Sequence, residues 1–473
     1  MNKRRFKLIQ ALLVAVLVFN IFSPEVLAAG GQQDIPPEVD LLMKLSDFIE
    51  QNYAGDVDRL QLIQGALRGM VDSLNDPYSE YFSPEELKEF ERSTSGNFGG
   101  IGIVITTKDG FTTVVSVLEG SPAARKGIKP GDRIVEIDGK DVTKLTTSEV
   151  AELLRGNEGT KVSVGILREG EKQILKFDIT REIIRVNPIE YRILEKGIGY
   201  IKISEFNENT AENIDKALAA FKNSGVRGLV LDLRNNPGGL LDQAVETARR
   251  FVPKGLIVKV ISKNGNTRAY YSDSAPSPFK LVVLVNGGSA SASEILAGAI
   301  KDRKAGVIVG ERTFGKATVQ QLINLGSLGG IKLTIARYVT PSGIDINETG
   351  IVPDIEVKQD TSDPTKDFVP LKSTRPLKYG CIGLDVMGLQ QHLRFLGLFN
   401  GEPDGVFEQR TKKAVEDFQA KKGFPVNGIA DEKLLEALDG AVNEALKSRE
   451  DLQLKKALEV LKGLLTEKTK RAV

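Results

Sequence analysis

The chain is poor in the residues from which many catalytic and metal-binding sites are built. Its 473 residues include one histidine, His392, one cysteine, Cys381, and no tryptophan. A Ser–His–Asp triad would have to use His392, and a Cys–His pair would have to unite Cys381 with His392. A structural zinc site of the usual Cys/His type cannot be assembled within one chain. A single cysteine allows no intrachain disulfide, so stability must come from packing. Charge of one sign is also missing: the formal net charge is +1, and no global field draws in acidic partners. No basic patch is interleaved with aromatics, which argues against nucleic acid as a partner. One apolar run stands out, Leu8 to Phe22. Broken by Gln10 and Asn20, it is short for a full membrane span.

That run has the surroundings of an export signal. Lys3, Arg4, Arg5 and Lys7 precede it, and Val26-Leu27-Ala28 offers a small-residue cleavage site. Residues 1–28 are read as a signal peptide or a retained anchor, placing the protein outside the cytoplasm, secreted or at the cell envelope. Hydrophobic residues make up 41% and charged residues 27%, a globular balance, and the length requires several cores. Residues 36–95 have helical spacing, with Leu41, Leu42, Leu45, Phe48 and Ile49 in one helix and Ser83-Pro84-Glu85-Glu86 opening another. From residue 96 the chain turns to short β-rich runs, with Asp138-Gly139 as a hairpin turn. Between residues 186 and 360 apolar strands alternate with helices, the pattern of an α/β core. Residues 361–375 read as a polar linker, 376–440 as a small helical bundle, and 441–473 as a charged helix with a leucine stripe. The fold class is therefore multidomain, α/β and α+β.

Three segments carry chemistry. In Asn286-Gly287-Gly288-Ser289-Ala290-Ser291-Ala292-Ser293-Glu294 an apolar strand ends in glycines and small hydroxyl residues open a helix. A nucleophile there lies beside free backbone N–H groups and the positive end of the helix dipole. The same Ser291-x-x-Glu294 pattern also reads as a capping box. Gly310-Glu311-Arg312-Thr313-Phe314-Gly315-Lys316-Ala317 nearly matches a phosphate-binding loop, but Ala317 lacks the hydroxyl that would hold a magnesium ion, which counts against nucleotide hydrolysis. Lys316 has another use: buried and neutral, it can serve a serine as general base. Asp232-Leu233-Arg234-Asn235-Asn236-Pro237-Gly238-Gly239 runs from a buried strand into a glycine turn that can aim N–H groups at a substrate oxygen.

Residues 232–239, 289–294 and 315–320 (Gly-Lys-Ala-Thr-Val-Gln), in that order along the chain and with Lys316 25 positions after Ser291, resemble the core motifs of the C-terminal processing peptidases, serine peptidases of family S41. Asn75-Asp76-Pro77-Tyr78-Ser79 resembles a further signature of that family. The resemblance implies Ser291 as nucleophile and Lys316 as its base. Gln320 would orient Lys316 from one helical turn away or from the same strand face. The oxyanion hole would combine the N–H of Ala292 with that of Gly238 or Gly239. No metal or cofactor is implied. Residues 96–185 resemble a PDZ domain, in which Gly100, Ile101, Gly102 and Ile103 would receive a peptide C-terminus and Val150 with Leu153 or Leu154 would line its side-chain pocket. Arg155 is a candidate for coupling this domain to the core. Residues 376–440 resemble a peptidoglycan-binding domain, with Glu408 and Lys433 as departures, and His392 reads as a partly buried helix residue inside it. The expected partners are protein or peptide substrates with free C-termini, peptidoglycan, and a second copy of the chain in a homodimer. The competing reading is a wall-bound scaffold that binds tails and glycan without catalysis.

Overall fold

The computed structural model describes residues 36–108, 110–359, 365–371, 373, 375–447 and 450–470. The expected signal segment lies outside them, as does part of the expected linker. Among the described residues no helix is long and apolar enough to cross a membrane. The chain forms two compact units, one of residues up to Val357 plus Lys456 onward, the other Lys358–Lys455.

The first unit begins with helices α1 (Pro37–Asn52) and α2 (Arg59–Asp72), strand β1 (Glu80–Phe82) and helix α3 (Pro84–Ser95). Ser83 caps α3 as its sequence predicts: its hydroxyl accepts from the Glu86 N–H (3.2 Å), and the Glu86 carboxylate accepts from the Ser83 N–H (2.7 Å). The helical spacing of α1 does not serve a core, because Leu41, Leu42, Leu45 and Phe48 are all exposed.

Next come β2 (Asn97–Gly100), β3 (Ile103–Lys108), β4 (Phe111–Val117), α4 (Pro122–Lys126), β5 (Arg133–Ile137), β6 (Lys140–Asp141), α5 (Thr147–Leu154), β7 (Lys161–Leu167), β8 (Leu175–Thr180) and β9 (Glu182–Arg185). Strands β3-β4-β5-β7-β8 form one antiparallel sheet with β6 against β5, and β2 pairs with β9. The β5–β6 turn sits at Asp138 and Gly139, both at positive φ as such a hairpin requires. The cap of α5 is Thr146, and Glu149 completes its box. Ile134, Val150, Val162, Val164 and Ile166 fill the core of this layer.

The remainder holds β10 (Ile189–Glu195), β11 (Ile198–Ile203), α6 (Thr210–Asn223), β12 (Gly228–Asp232), α7 (Leu241–Phe251), β13 (Gly255–Ser262), β14 (Thr267–Ser272), β15 (Lys280–Val285), α8 (Ala292–Asp302), β16 (Val307–Gly310), β17 (Thr318–Asn324), β18 (Gly330–Val339) and β19 (Ile355–Glu356). A six-stranded sheet runs β10-β11-β12-β15-β16-β19, parallel except for the β10 hairpin edge. β11, β12 and β15 are apolar nearly throughout, as strands covered on both faces must be. The apolar run at 256–261 lies outside this sheet. As β13 it enters a second, antiparallel sheet, β1-β18-β13-β14 with β17 on β18. The hairpin of β17 and β18 carries residues on both sides of the candidate site, and β1 ties the N-terminal helices to it.

The second unit contains α9 (Leu384–Phe395), α10 (Gln409–Lys422) and α11 (Glu432–Lys447) around Leu389, Leu393, Phe407, Phe418 and Leu438. His392 is buried there as a helix residue, with Nδ1 2.7 Å from the Gly388 carbonyl oxygen. The last helix, α12 (Leu452–Lys470), belongs to the first unit from Lys456 onward, where Leu461 lies against Gly228 and Lys462 pairs with Glu195 (2.9 Å). Ile134 is fully buried in the β3–β8 layer, so Ile134→Ala should lower unfolding stability by about 2–5 kcal/mol in denaturant titration.

Candidate active site

The parallel strands deliver two turns to one edge. After β12, Asp232 is buried and holds the turn in shape: the Arg234 guanidinium donates to it (2.6 Å from Nη2), as does the Tyr200 hydroxyl (2.7 Å). Asn236, fully buried, donates Nδ2 to the Ile203 carbonyl (2.9 Å) and accepts the Gly238 N–H on Oδ1 (2.8 Å). Gly239 has φ +141, and a Cβ there would lie 2.1 Å from the Phe206 carbonyl oxygen, so only glycine fits.

After β15, Asn286 and Asn235 exchange hydrogen bonds that lock the second turn to the first: Asn235 N–H to Asn286 Oδ1 and Asn286 Nδ2 to Asn235 Oδ1, each 2.9 Å. The three serines then separate by role. The Ser289 hydroxyl donates to the Leu233 carbonyl (2.8 Å) and accepts from the Asn286 N–H (3.0 Å). The Ser293 hydroxyl donates to the Asn236 carbonyl (3.0 Å). Both brace the turns. Ser291 is held through its backbone instead. It stands at φ 53, ψ −112, a conformation that an L residue rarely adopts, at the entry to α8.

The brace on Ser291 is Glu294, a fully buried carboxylate. Its Oε2 accepts the N–H of Ser291 and the N–H of Lys316, each at 2.8 Å. Its Oε1 accepts the Thr313 hydroxyl (2.5 Å) and the Gly315 N–H (2.7 Å). Burial pushes this carboxyl up from the ordinary value, while the four hydrogen bonds pull it down. One side chain thus joins the start of α8 to the 313–316 loop. Tyr338 repeats the link, its hydroxyl lying 3.0 Å from the Ser291 carbonyl oxygen and 2.7 Å from that of Lys316.

Lys316 is buried, and burial lowers its amine to about 7, with the like charge of Lys332 acting in the same direction and Asp76 and Glu294 against it. Gln320 lies on a strand, β17, which settles the choice between strand and helix. Its Nε2 donates to Thr318 (2.9 Å) and Thr334 (3.1 Å), and its buried Oε1 has no hydrogen-bond partner among the described residues. The Phe206–Gly239 bridge occupies the Gly238 carbonyl and the Leu240 N–H, and the Gly238 N–H is already given to Asn236.

The expected peptide-binding residues lie apart from this cluster. Gly100 ends β2, Ile101 is buried, Gly102 has φ 80, and Ile103 opens β3, a sheet edge that among the described residues pairs with β4 alone. Val150 and Leu154 are buried in the core beneath, and Leu153 is exposed. Arg155 reaches α3 and β2 rather than the turns after β12 and β15: it pairs with Glu89 (3.1 Å) and Glu152 (2.6 Å) and lies over the Phe98 ring (5.4 Å). Among the described residues no group of three or more His, Cys, Asp or Glu is placed to hold a metal ion. Sequence reasoning missed the link made by Glu294, having read its spacing as a helix cap, and it missed Tyr78, whose ring centroid lies 4.5 Å from Lys316 Nζ.

Residues 197–357 match peptidase family S41, 113–168 a PDZ domain, 383–438 a peptidoglycan binding domain, and 28–86 the N-terminal domain of the activating protease CtpB. The chain is 36% identical over 448 residues to the carboxy-terminal processing protease CtpB of Bacillus subtilis, covering 93% of this chain and 92% of that one. It is 34% identical over 468 residues to CtpA of the same organism, covering 97% and 99%. Among solved structures, the photosystem II D1 C-terminal processing protease is 32% identical, with a TM-score of 0.42, covering 68% of this chain and 94% of that one. Replacing the central carboxylate by Glu294→Gln puts an NH₂ group among four donors. It should cost about 1–3 kcal/mol for each donor left unpaired, read by thermal or denaturant unfolding, with peptide hydrolysis falling in parallel.

Proposed function

The chain belongs to peptidase family S41 and is a serine protease of the carboxy-terminal processing kind; from that premise we propose that it cleaves exported or envelope proteins with a Ser291–Lys316 dyad, on substrates selected by their C-termini. The observation that carries the dyad is the Glu294 carboxylate, one oxygen of which accepts both the Ser291 and the Lys316 backbone N–H. Of the three neighbouring serines, Ser289 and Ser293 use their hydroxyls to brace the turns, which leaves Ser291 for attack.

In this mechanism neutral Lys316 takes the Ser291 hydroxyl proton as Oγ bonds to the scissile carbonyl carbon. The oxyanion is met by the N–H of Ala292, the first residue of α8, and by that of Gly239, since the Gly238 N–H is held by Asn236. Collapse breaks the C–N bond, and Lys316 returns the proton to the leaving amine. Water then repeats the sequence on the acyl-enzyme: Lys316 takes its proton, the new C–O bond forms, and Ser291 leaves with the proton restored. Gln320 Oε1, buried with its acceptor capacity unused among the described residues, is suited to receive a hydrogen bond from the Lys316 amine.

The residues 96–185 are assigned to the PDZ domain, 186–360 to the peptidase core and 376–440 to the wall-binding unit. A substrate tail would add as a strand along the open edge of β3, its carboxylate facing the loop from Gly100 to Gly102. The exposed apolar residues of α1 favour a homodimer through this helix. The N-terminal segment favours export, and the bundle around Leu389 and Phe418 favours attachment to peptidoglycan.

With unfolded test proteins, Ser291→Ala and Lys316→Ala should each reduce cleavage at least about a thousandfold with folding intact. Equal cleavage by wild type and both variants would remove the dyad. Because Lys316 must be neutral to act, kcat/KM should rise about tenfold per pH unit below about 7 and level off above it. The same burial makes the folded state bind fewer protons than the unfolded state between pH 7 and the ordinary lysine value, so this group lets stability rise with pH across that window. Lys316→Met should therefore be more stable than wild type near pH 7, by a margin that shrinks toward pH 10 in unfolding titrations. Amidating the C-terminus of a peptide substrate should raise its KM if the PDZ edge reads the carboxylate.

A further inference from the structure

The N-terminal segment reaches into the candidate site. Between α2 and α3, residues 76–82 lie along the β17–β18 hairpin, β1 pairing Glu80 with Lys332 and Phe82 with Gly330. Asp76 accepts the Ser79 hydroxyl (2.6 Å), and Ser79 Oγ accepts the Thr334 N–H (3.0 Å). Thr334 in turn accepts from Gln320 Nε2 (3.1 Å). This chain of bonds fixes Tyr78, half-buried, with its ring centroid 4.5 Å from Lys316 Nζ.

We propose that Tyr78 is a positioning residue for the general base: its ring face holds the Lys316 amino group and covers it from water, so the site is complete only when segment 76–82 is docked on β18. The proposal rests on the Ser291–Lys316 reading. A ring face attracts an ammonium more than a neutral amine, whereas the bulk of the ring excludes water, which favours the neutral amine. The two effects have opposite signs, and different substitutions separate them. The other charged groups acting on the amine are Asp76 on the same segment, Glu294 on α8, and Lys332 on β18, whose own charge is paired with Glu80 (2.9 Å); Glu348, in the loop before Gly350, acts on Tyr78. Tyr338, buried, donates its hydroxyl to the Lys316 carbonyl (2.7 Å).

The test is the pH dependence of kcat/KM for peptide cleavage by the full chain. Tyr78→Phe keeps the ring and should keep the acid limb at the wild-type position. Tyr78→Leu keeps an apolar cover without a π face and should move the limb down by about 0.5–1 pH unit. Tyr78→Ala admits water and should move it up. If Tyr78→Leu does not fold, pentafluorophenylalanine at position 78 keeps the shape while reversing the ring's charge distribution, and it should also move the limb down. A limb that stays at the wild-type position in Tyr78→Leu or in the fluorinated protein overturns the proposal, even if stability falls. The dyad is checked in the same series: a wild-type limb near 7, with activity lost in Lys316→Ala, isolates any failure to Tyr78, whereas activity retained in Lys316→Ala is a failure of the dyad itself.

Discussion

The candidate site depends on one buried carboxylate. Glu294 accepts four hydrogen bonds from donors on two chain segments, among them the backbone N–H of Ser291 and that of Lys316. Charged acceptors make stronger hydrogen bonds than neutral ones, and burial strengthens them further, so four such bonds can hold the unfavourable φ of Ser291. Four donors oppose the desolvation that pushes the carboxyl up from its ordinary value, although burial remains the larger effect. The strained backbone at Ser291, the lysine loop and the first turn of α8 are therefore one construction rather than three.

Around that carboxylate the fold arranges a contrast of environments. The asparagine and serine hydrogen bonds at Asn235, Asn236, Ser289 and Ser293 make the two turns rigid. The lysine side chain is instead placed where charge is disfavoured, with a second lysine nearby. A buried amine of this kind costs stability, a trade common at catalytic sites. The N-terminal helices join the arrangement through β1, which belongs to the same sheet as the β17–β18 hairpin. A segment distant in sequence thus becomes part of the surroundings of Lys316.

Much of this could be read from the sequence, for reasons that differ by element. The helices at Thr210–Asn223, Leu241–Phe251 and Ala292–Asp302 follow from strong periodicity between apolar strands. The Ser83 cap follows from local chemistry. The fate of the strand at 255–262 does not, because an apolar run looks alike in a parallel sheet and in an antiparallel one. Exposure of Leu41, Leu42 and Phe48 also escaped, since helical spacing predicts an apolar stripe but not what covers it. The pattern Ser291-x-x-Glu294 was visible, yet only the tertiary fold shows the carboxylate reaching Gly315 and Lys316. The three serines are indistinguishable by composition, and it is the bonds of Ser289 and Ser293 to the other turn that distinguish them. Tyr78 was legible only as part of a motif, because a contact with Lys316 across such a sequence separation has no local signal.

The central claim is that the fold holds Lys316 as a neutral base at neutral pH. NMR titration of ¹³C-labelled lysine in the inactive Ser291→Ala protein reads that state directly. The account predicts one lysine Cε resonance that titrates near 7 and is absent from a Ser291→Ala, Lys316→Met double variant. A Lys316 resonance that titrates with the surface lysines, near 10.5, would contradict it.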